Sequence, residues 1–261
     1  MDNILEVRDL KVWFPVRKGV FARTVGYVKA VDGMSFDLKR GETLGLVGES
    51  GSGKSTVARV ITGLQQPTSG SFELRGRVAM VFQDPLGSLN PRMTVRAVLE
   101  EALRFGGLEV SSETKLPNFQ ASKLLNFQAS KLLNLVGLDA SALDKYPHEF
   151  SGGQRQRVCI ARAIALKPDL LVCDEAVSAL DLSIRAQVLD LLADLKGKLG
   201  LSILFITHDL GVVQHVADRL IVMNRGKAIE EGPVEHVLGT PREEYTRYLL
   251  SSVPKIGKPL T

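Results

Sequence analysis

Nine residues, Gly48-Glu49-Ser50-Gly51-Ser52-Gly53-Lys54-Ser55-Thr56, constrain this chain more than any other stretch. They fit G-x-x-x-x-G-K-[ST], a loop whose backbone wraps phosphate oxygens. An apolar run, Thr43-Leu44-Gly45-Leu46-Val47, precedes the loop and reads as a buried strand. A helix-compatible run, Val57 to Ile61, follows it. That strand–loop–helix setting is what the pattern needs to act as a binding site. Glycine lets the backbone approach phosphate closely, and the N–H groups of the loop and helix start then face negative charge. Lys54 can bridge β- and γ-phosphates. The Ser55 hydroxyl suits Mg²⁺, a hard ion that prefers oxygen.

Three further segments carry chemistry. Leu170-Leu171-Val172-Cys173-Asp174-Glu175 reads as a buried strand ending in two carboxylates. One carboxylate, Asp174, suits the metal. The next, Glu175, suits the attacking water, which it can orient or deprotonate. Phe150-Ser151-Gly152-Gly153-Gln154-Arg155-Gln156-Arg157 opens the helical run Val158–Leu166, with Ser151 as its N-cap. Glycines at that helix start make a second anion cradle. Gln83 follows the strand Val78–Phe82 and can offer an amide oxygen to Mg²⁺. Thr207-His208-Asp209 ends the strand Ser202–Thr207, where an imidazole can touch a γ-phosphate; taken alone, His208 reads rather as a satisfied core histidine.

The rest of the chain is read for organisation. Residues 4–14 alternate apolar and polar as an edge strand does, and residues 15–28, with Pro15, Gly19 and Gly26, read as a loop. Residues 84–150 form a helical insertion without a clear strand. A helix with apolar residues at Ile184, Val188, Leu191, Leu195 and Leu199 lies between the strand-like runs Leu170–Cys173 and Ser202–Thr207. Arg219–Met223 and Lys227–Glu230 suggest a hairpin around Asn224-Arg225-Gly226. The tail from Thr240 holds one short helix and then Pro254 and Pro259, where fraying is expected. Asn118–Leu125 is repeated without change at Asn126–Leu133. Eight helical residues turn roughly 80° past two full turns, so the two Leu-Leu pairs are not expected to share a face. The second copy is expected to hold the packed position and the first to extend the insertion.

Composition narrows the function classes. The 33 Lys and Arg against 29 Asp and Glu leave +4, a mild excess that fits phosphate ligands or an anionic membrane surface but is too weak to argue for nucleic acid. Cys159 and Cys173 are the only cysteines and sit in apolar runs, so both read as buried core residues without metal-ligand spacing. Met1-Asp2-Asn3 lacks a positive start and an apolar stretch, so no signal peptide is expected, and no run approaches the ~18 apolar residues of a membrane span. A cytosolic polypeptide held to a membrane through partners is expected.

In this order, the motifs resemble the ATP-binding cassette family across nearly the whole chain: Walker A (48–56), the Q-loop (Gln83), the signature (Ser151, Gly152, Gly153, Gln154), Walker B (170–175), the D-loop (Ser178-Ala179-Leu180-Asp181) and the switch histidine (His208). The resemblance implies an α/β fold of the P-loop NTPase, ABC type: a RecA-like mixed sheet core with an antiparallel β subdomain and a helical insertion. It implies one domain over 1–261, with 1–83 and 159–238 as the nucleotide-binding core. Residues 84–158 would be the helical subdomain with the signature, and 239–261 the C-terminal tail. It implies ATP and Mg²⁺, with Ser55, Gln83 and Asp174 on the metal and Glu175 and His208 as catalytic groups. It implies a sandwich dimer in which each ATP lies between Walker A of one subunit and the signature of the other. An aromatic upstream of Walker A would stack on adenine; Phe14 fits best, with Trp13 and Tyr27 as rivals. Two departures are visible: Phe150 where Leu is usual, and Ala176 where Pro often follows the Walker B glutamate. Neither removes a catalytic group.

Phe82-Gln83-Asp84-Pro85-Leu86-Gly87-Ser88-Leu89-Asn90-Pro91-Arg92-Met93-Thr94-Val95, together with the long loop 15–29 and the tail from Pro241 to Val253, is similar to the peptide/nickel importer subfamily. That likeness implies the ATPase subunit of a bacterial di- or oligopeptide importer. Its implied place is peripheral, on the cytoplasmic face of the inner membrane. The implied partners are a second cassette, identical or paralogous, two transmembrane permease subunits and, indirectly, a solute-binding protein, with no nucleic acid. The accessory ATPases of carbon–phosphorus lyase resemble the same subfamily and give the alternative. A nucleic-acid-associated cassette would carry zinc-binding insertions, long coiled coils or a second cassette, which this sequence lacks.

Overall fold

A computed structural model describes residues 2–19, 22–108 and 118–252. The chain forms two compact units, Met1–Arg75 with Ser202–Thr261, and Gly76–Leu201. The first unit holds two sheets. In one, β3 (Thr43–Val47) lies between β7 (Ser202–Thr207) and β8 (Arg219–Asn224), parallel to both, and β9 (Lys227–Pro233) pairs antiparallel with β8. Every residue of β3 and β7 is buried. That is why these strands read as continuous apolar runs rather than alternating ones. Leu44, Leu46 and Val47 are fully shielded, each contributing about 1.5–3 kcal/mol by burial. Asp218 fixes the start of β3 by accepting the Thr43 N–H at 2.7 Å. Parallel register sets Val47 opposite Thr207, so Gly48 and His208 leave neighbouring strands at the same carboxyl end, the end at which open α/β sheets bind ligands.

The other sheet has the order β2-β1-β4, with β1 spanning Asn3–Lys18, β2 Arg23–Lys39 and β4 Ser69–Leu74. Two expectations are corrected here. β1 is the central strand, not an edge: β4 covers one side from Leu5 to Lys11 while β2 covers the other. Segment 15–28 is not a loop either. β1 runs on to Lys18 and β2 starts at Arg23, so that Lys18 faces Arg23 across a long ribbon; Val20 and Phe21 lie outside the described residues. Val16, Thr24, Val25, Tyr27 and Val28 favour extended backbone. Pro15 is tolerated because β1 has lost β4 by that point, leaving one side without a ladder. The strand β4 and the short helices α7 (Leu210–Val216) and α8 (Val234–Gly239) carry too little periodicity to be read from sequence. α9 (Glu244–Ser251) is the short helix expected in the tail; Pro254 and Pro259 lie outside the described residues.

In the second unit β5 (Val78–Val81) and β6 (Leu170–Asp174) pair in parallel, Val81 opposite Cys173. Among the described residues between them there is no strand, as expected, but α2 (Pro85–Ser88), α3 (Val95–Phe105), α4 (Asn118–Leu135), two 3-10 turns and α5 (Gly152–Ala165). α6 (Leu182–Leu199) follows β6 and buries Val188, Leu189, Leu192 and Leu195, whereas Leu199, the last of the apolar residues read along it, is exposed beside the Gly200 helix end. Cys159 and Cys173 are buried as expected. Burial raises both thiols, Cys173 to about 12, so each stays protonated and unreactive near neutral pH.

The repeat resolves differently from the expectation. Both copies lie in α4, and Leu125, Ala129 and Leu133 are buried at i, i+4 and i+8. Leu133 of the second copy is packed as foreseen, but Leu125, its counterpart in the first, is packed too. A rotation of roughly 80° stays within the ~100° apolar stripe of an amphipathic helix. Ala129 fills the turn between them.

Candidate functional site

In the first unit, α1 (Lys54–Ile61) starts straight from the loop that leaves β3. Two glycines have no alternative. A Cβ on Gly48 would lie 2.1 Å from the Met223 carbonyl oxygen, and one on Gly53, whose φ is +108°, would lie 2.0 Å from that of Ala30. The loop is laced to the hairpin β8–β9: Gly226 N–H donates to Ser52 O at 2.9 Å, and Asp32 N–H donates to Gly226 O at 2.8 Å. Thr56 and Val57 N–H groups donate back to Gly53 O, opening the helix at once. Ser52 and Lys54 are buried; Glu49, Ser50 and Gly51 are exposed, and Ser55 and Thr56 half-buried. The Lys54 ammonium donates to Gly48 O at 2.7 Å and to Glu49 O at 2.8 Å, so a cation is held inside a loop rimmed by backbone. A buried ammonium set beside a helix N-terminus is a site for a polyanion.

His208 stands exposed between β7 and α7, not buried in the core. Its backbone is fixed on both sides: Thr207 Oγ1 accepts the Asp209 N–H at 3.0 Å, and Asp209 caps α7 by accepting from Gly211 and Val212. Phe14 is 40% exposed on β1, opposite Val28. Trp13 is committed elsewhere. Its indole N–H donates to Asp32 at 3.1 Å, the Lys29 ammonium sits 4.4 Å from its ring centre, and Tyr27 lies 6.2 Å away. Successive side chains on a strand face opposite ways, so Phe14 projects from the face opposite this cluster.

In the second unit, the parallel pair β5–β6 brings Gln83 and Glu175 out at one end. The Gln83 amide N–H donates to Glu175 Oε2 at 3.0 Å across 92 residues of sequence. Asp174 closes β6, 6% exposed. Glu175 has φ +48°, a conformation that costs a non-glycine residue about 1–3 kcal/mol. The following turn holds it: Ser178 N–H and Oγ both donate to Glu175 O, and Ala176 and Val177 are buried. Asp181 sits exposed at the N-terminus of α6, its backbone carbonyl accepting the Arg185 N–H at 2.8 Å. The Arg185 guanidinium donates to Leu180 O at 3.2 Å, bracing the segment 178–181. Arg185 is absent from the residues that the motifs single out. Its one signal in the sequence is a cation four residues after the cap position, one helical turn on.

Ser151 caps α5 as expected. Its Oγ accepts from Gln154 N at 3.3 Å, and Gln154 Oε1 accepts from Ser151 N at 3.0 Å, a reciprocal capping box. Ser151, Gly152 and Gln154 are exposed. Gly153 is buried, and a Cβ there would meet Ile184 Cγ2 at 2.4 Å. Phe150, the departure from the usual leucine, is 5% exposed and packs as an apolar contact.

Residues 31–178 match the ABC transporter family. Over 276 residues the chain is 46% identical to the oligopeptide transport ATP-binding protein AppF of Bacillus subtilis, covering 98% of this chain and 80% of that protein. It is 45% identical over 270 residues to the dipeptide transport ATP-binding protein DppF of Escherichia coli, covering 97% of this chain and 77% of its relative. Among solved structures it resembles cbiO1 of Clostridium perfringens, part of an ABC transporter complex, with TM-score 0.73, 26% identity and 98% of each chain covered. It also resembles a dimeric ATP-binding cassette in a post-hydrolysis state bound to ADP and Pi, with TM-score 0.72 and 25% identity over 88% of this chain and 98% of the other. With a family match over more than half its length and such relatives over nearly all of it, the chain belongs to the ABC transporter family.

Proposed function

We infer that this chain is the ATP-hydrolysing subunit of a bacterial di- or oligopeptide importer. The observation that carries this reading is the 44–46% identity, over 97–98% of the chain, to dipeptide and oligopeptide transport ATP-binding proteins. The loop 48–56 holds the phosphates of ATP: Lys54 sets its charge against the β- and γ-phosphates, and the N–H groups from Ser50 to Thr56 receive their oxygens. Ser55, Gln83 and Asp174 offer a hydroxyl, an amide oxygen and a carboxylate, the all-oxygen donor set that Mg²⁺ requires. Bound there, Mg²⁺ supplies charge neutralisation on the phosphate oxygens. Glu175 orients the attacking water and draws its proton. His208 stabilises charge on the γ-phosphate. Phe14, whose ring is not committed to the Trp13 cluster, stacks on adenine, a contact contributing ~1–3 kcal/mol by analogy with base stacking in nucleic-acid binders.

The signature of one molecule, Ser151, Gly152, Gly153 and Gln154, receives the triphosphate held by the other. This explains why one chain carries two anion cradles, and why its cap residues lie exposed. Asp181 lines the same junction. ATP draws two cassettes together and hydrolysis releases them; the closure moves two permease subunits, which take cargo from a solute-binding protein. No helix among the described residues is long and apolar enough to cross a membrane. On this reading the chain is peripheral, held to the cytoplasmic face of the inner membrane by its permeases. Affinity purification of the tagged chain from its own cells tests the assignment. Multi-spanning subunits and a second cassette should co-purify with it. A soluble lyase core in their place would overturn the transport reading.

A further inference from the structure

The Gly48–Glu49 peptide is gripped at both edges, and only one grip belongs to the phosphate loop. Its carbonyl, Gly48 O, accepts from the Lys54 ammonium at 2.7 Å. Its N–H, on Glu49, donates to the hydroxyl of Tyr245 at 3.4 Å. Tyr245 comes from α9, 196 residues further along. In a trans peptide the C=O and N–H point opposite ways, so the two contacts fix the plane between them. This peptide needs fixing. Residue 48 has to be glycine, because a Cβ there would collide with Met223 O. Turning the plane over rotates ψ of residue 48 and φ of residue 49, and a glycine at 48, having no Cβ, sets little barrier to its share of that rotation.

The helix that supplies Tyr245 is itself anchored. Glu230 accepts the N–H groups of Arg242 at 2.9 Å and Glu243 at 3.2 Å, just before the helix. The Arg247 guanidinium donates to Pro241 O and Arg242 O. Thr246 is fully buried. The Tyr245 ring lies 6.4 Å from that of Tyr248 at 29°. Burial is the main influence raising the Tyr245 phenol, which therefore keeps its proton and can donate it to the Glu49 side chain while accepting the Glu49 N–H.

We propose that Tyr245 is a positioning residue for ATP binding: its hydroxyl holds the Gly48–Glu49 peptide in the orientation that keeps Lys54 aimed into the phosphate loop. The C-terminal helix thereby becomes part of the nucleotide site. This inference rests on the reading of 48–56 as an ATP site. Without the hydroxyl the plane turns, Gly48 O leaves Lys54, and nucleotide meets a loop that must be ordered again on binding.

Titration of the full chain with MgATP, with steady-state hydrolysis alongside, tests it on Tyr245→Phe and Tyr245→Ala. Loss of one such hydrogen bond should raise Kd and KM for ATP about 3- to 10-fold in Tyr245→Phe. Its kcat should stay within about two-fold, because the contact acts on loop order and not on the reacting water. Tyr245→Ala should lose at least as much. Wild-type Kd and KM in Tyr245→Phe beside a loss in Tyr245→Ala would assign the effect to ring packing and overturn the proposal. A fall in kcat at unchanged KM would overturn it equally. Failure of the unmodified chain to bind MgATP would overturn the ATP reading beneath it.

Discussion

Glu175→Gln should slow ATP hydrolysis by about 10²–10⁴-fold, the range for loss of a general base, while MgATP still binds. The substitution isolates the chemistry because it keeps the size of the side chain and an oxygen to accept hydrogen bonds. Glutamine has the same shape, and its oxygen can still accept the Gln83 N–H that Glu175 Oε2 accepts at 3.0 Å. The left-handed backbone at residue 175 is held by the Ser178 bonds to its carbonyl and by buried Ala176 and Val177, none of which involves the carboxylate. What disappears is a group able to take a proton from water. Single-turnover hydrolysis and equilibrium nucleotide binding, measured on the same preparation, separate the two effects. Turnover at the wild-type rate would remove Glu175 from the role, and loss of binding together with turnover would show a structural role instead.

Gly53→Ala should weaken MgATP binding by about 10²-fold or more. Two penalties coincide there. The residue sits at φ +108°, and its new methyl would lie 2.0 Å from Ala30 O and 2.8 Å from Met223 Cε. Ala30 cannot withdraw alone. Its strand is tied at Asp32 to Gly226, which is tied in turn to Ser52 of the loop. A left-handed backbone alone costs a non-glycine residue about 1–3 kcal/mol; the contact adds to this, and about 2.8 kcal/mol already amounts to a hundredfold in affinity. Calorimetric titration checks it, with a thermal melt to show that the sheet survives. Wild-type affinity would mean that the loop need not hold this shape to bind nucleotide.

How much of this is legible in the sequence depends on how far each element is buried. β3, β6 and β7 are shielded on both faces, and their apolar runs are plain in the sequence itself. The glycine, lysine and carboxylate positions of the site lie at the ends of those strands, so motif and strand locate each other. The ribbon 15–28 is hidden because Pro15, Gly19 and Gly26 signal a turn, while the pairing that overrides them, from Pro15 with Tyr27 to Lys18 with Arg23, is with a strand on the far side of that turn. The repeat misleads because a rotation per residue means little without the width of the buried stripe. Contacts between distant residues leave no local trace. The bond from Gln83 to Glu175 and the reach of Tyr245 to Glu49 each join groups whose sequence neighbours say nothing of the partner.

The sharing of each triphosphate between two molecules is tested most directly by mixing two inactive variants. Lys54→Ala spoils the phosphate loop, and Gly153→Asp spoils the signature by setting a carboxylate where Ile184 already leaves no room for a Cβ. Each alone should hydrolyse almost no ATP under conditions where the unmodified chain is active. An equimolar mixture should regain activity, because one of its pairings faces an intact loop with an intact signature. A mixture as inactive as its components would show that loop and signature serve the same molecule's nucleotide, and would contradict the account.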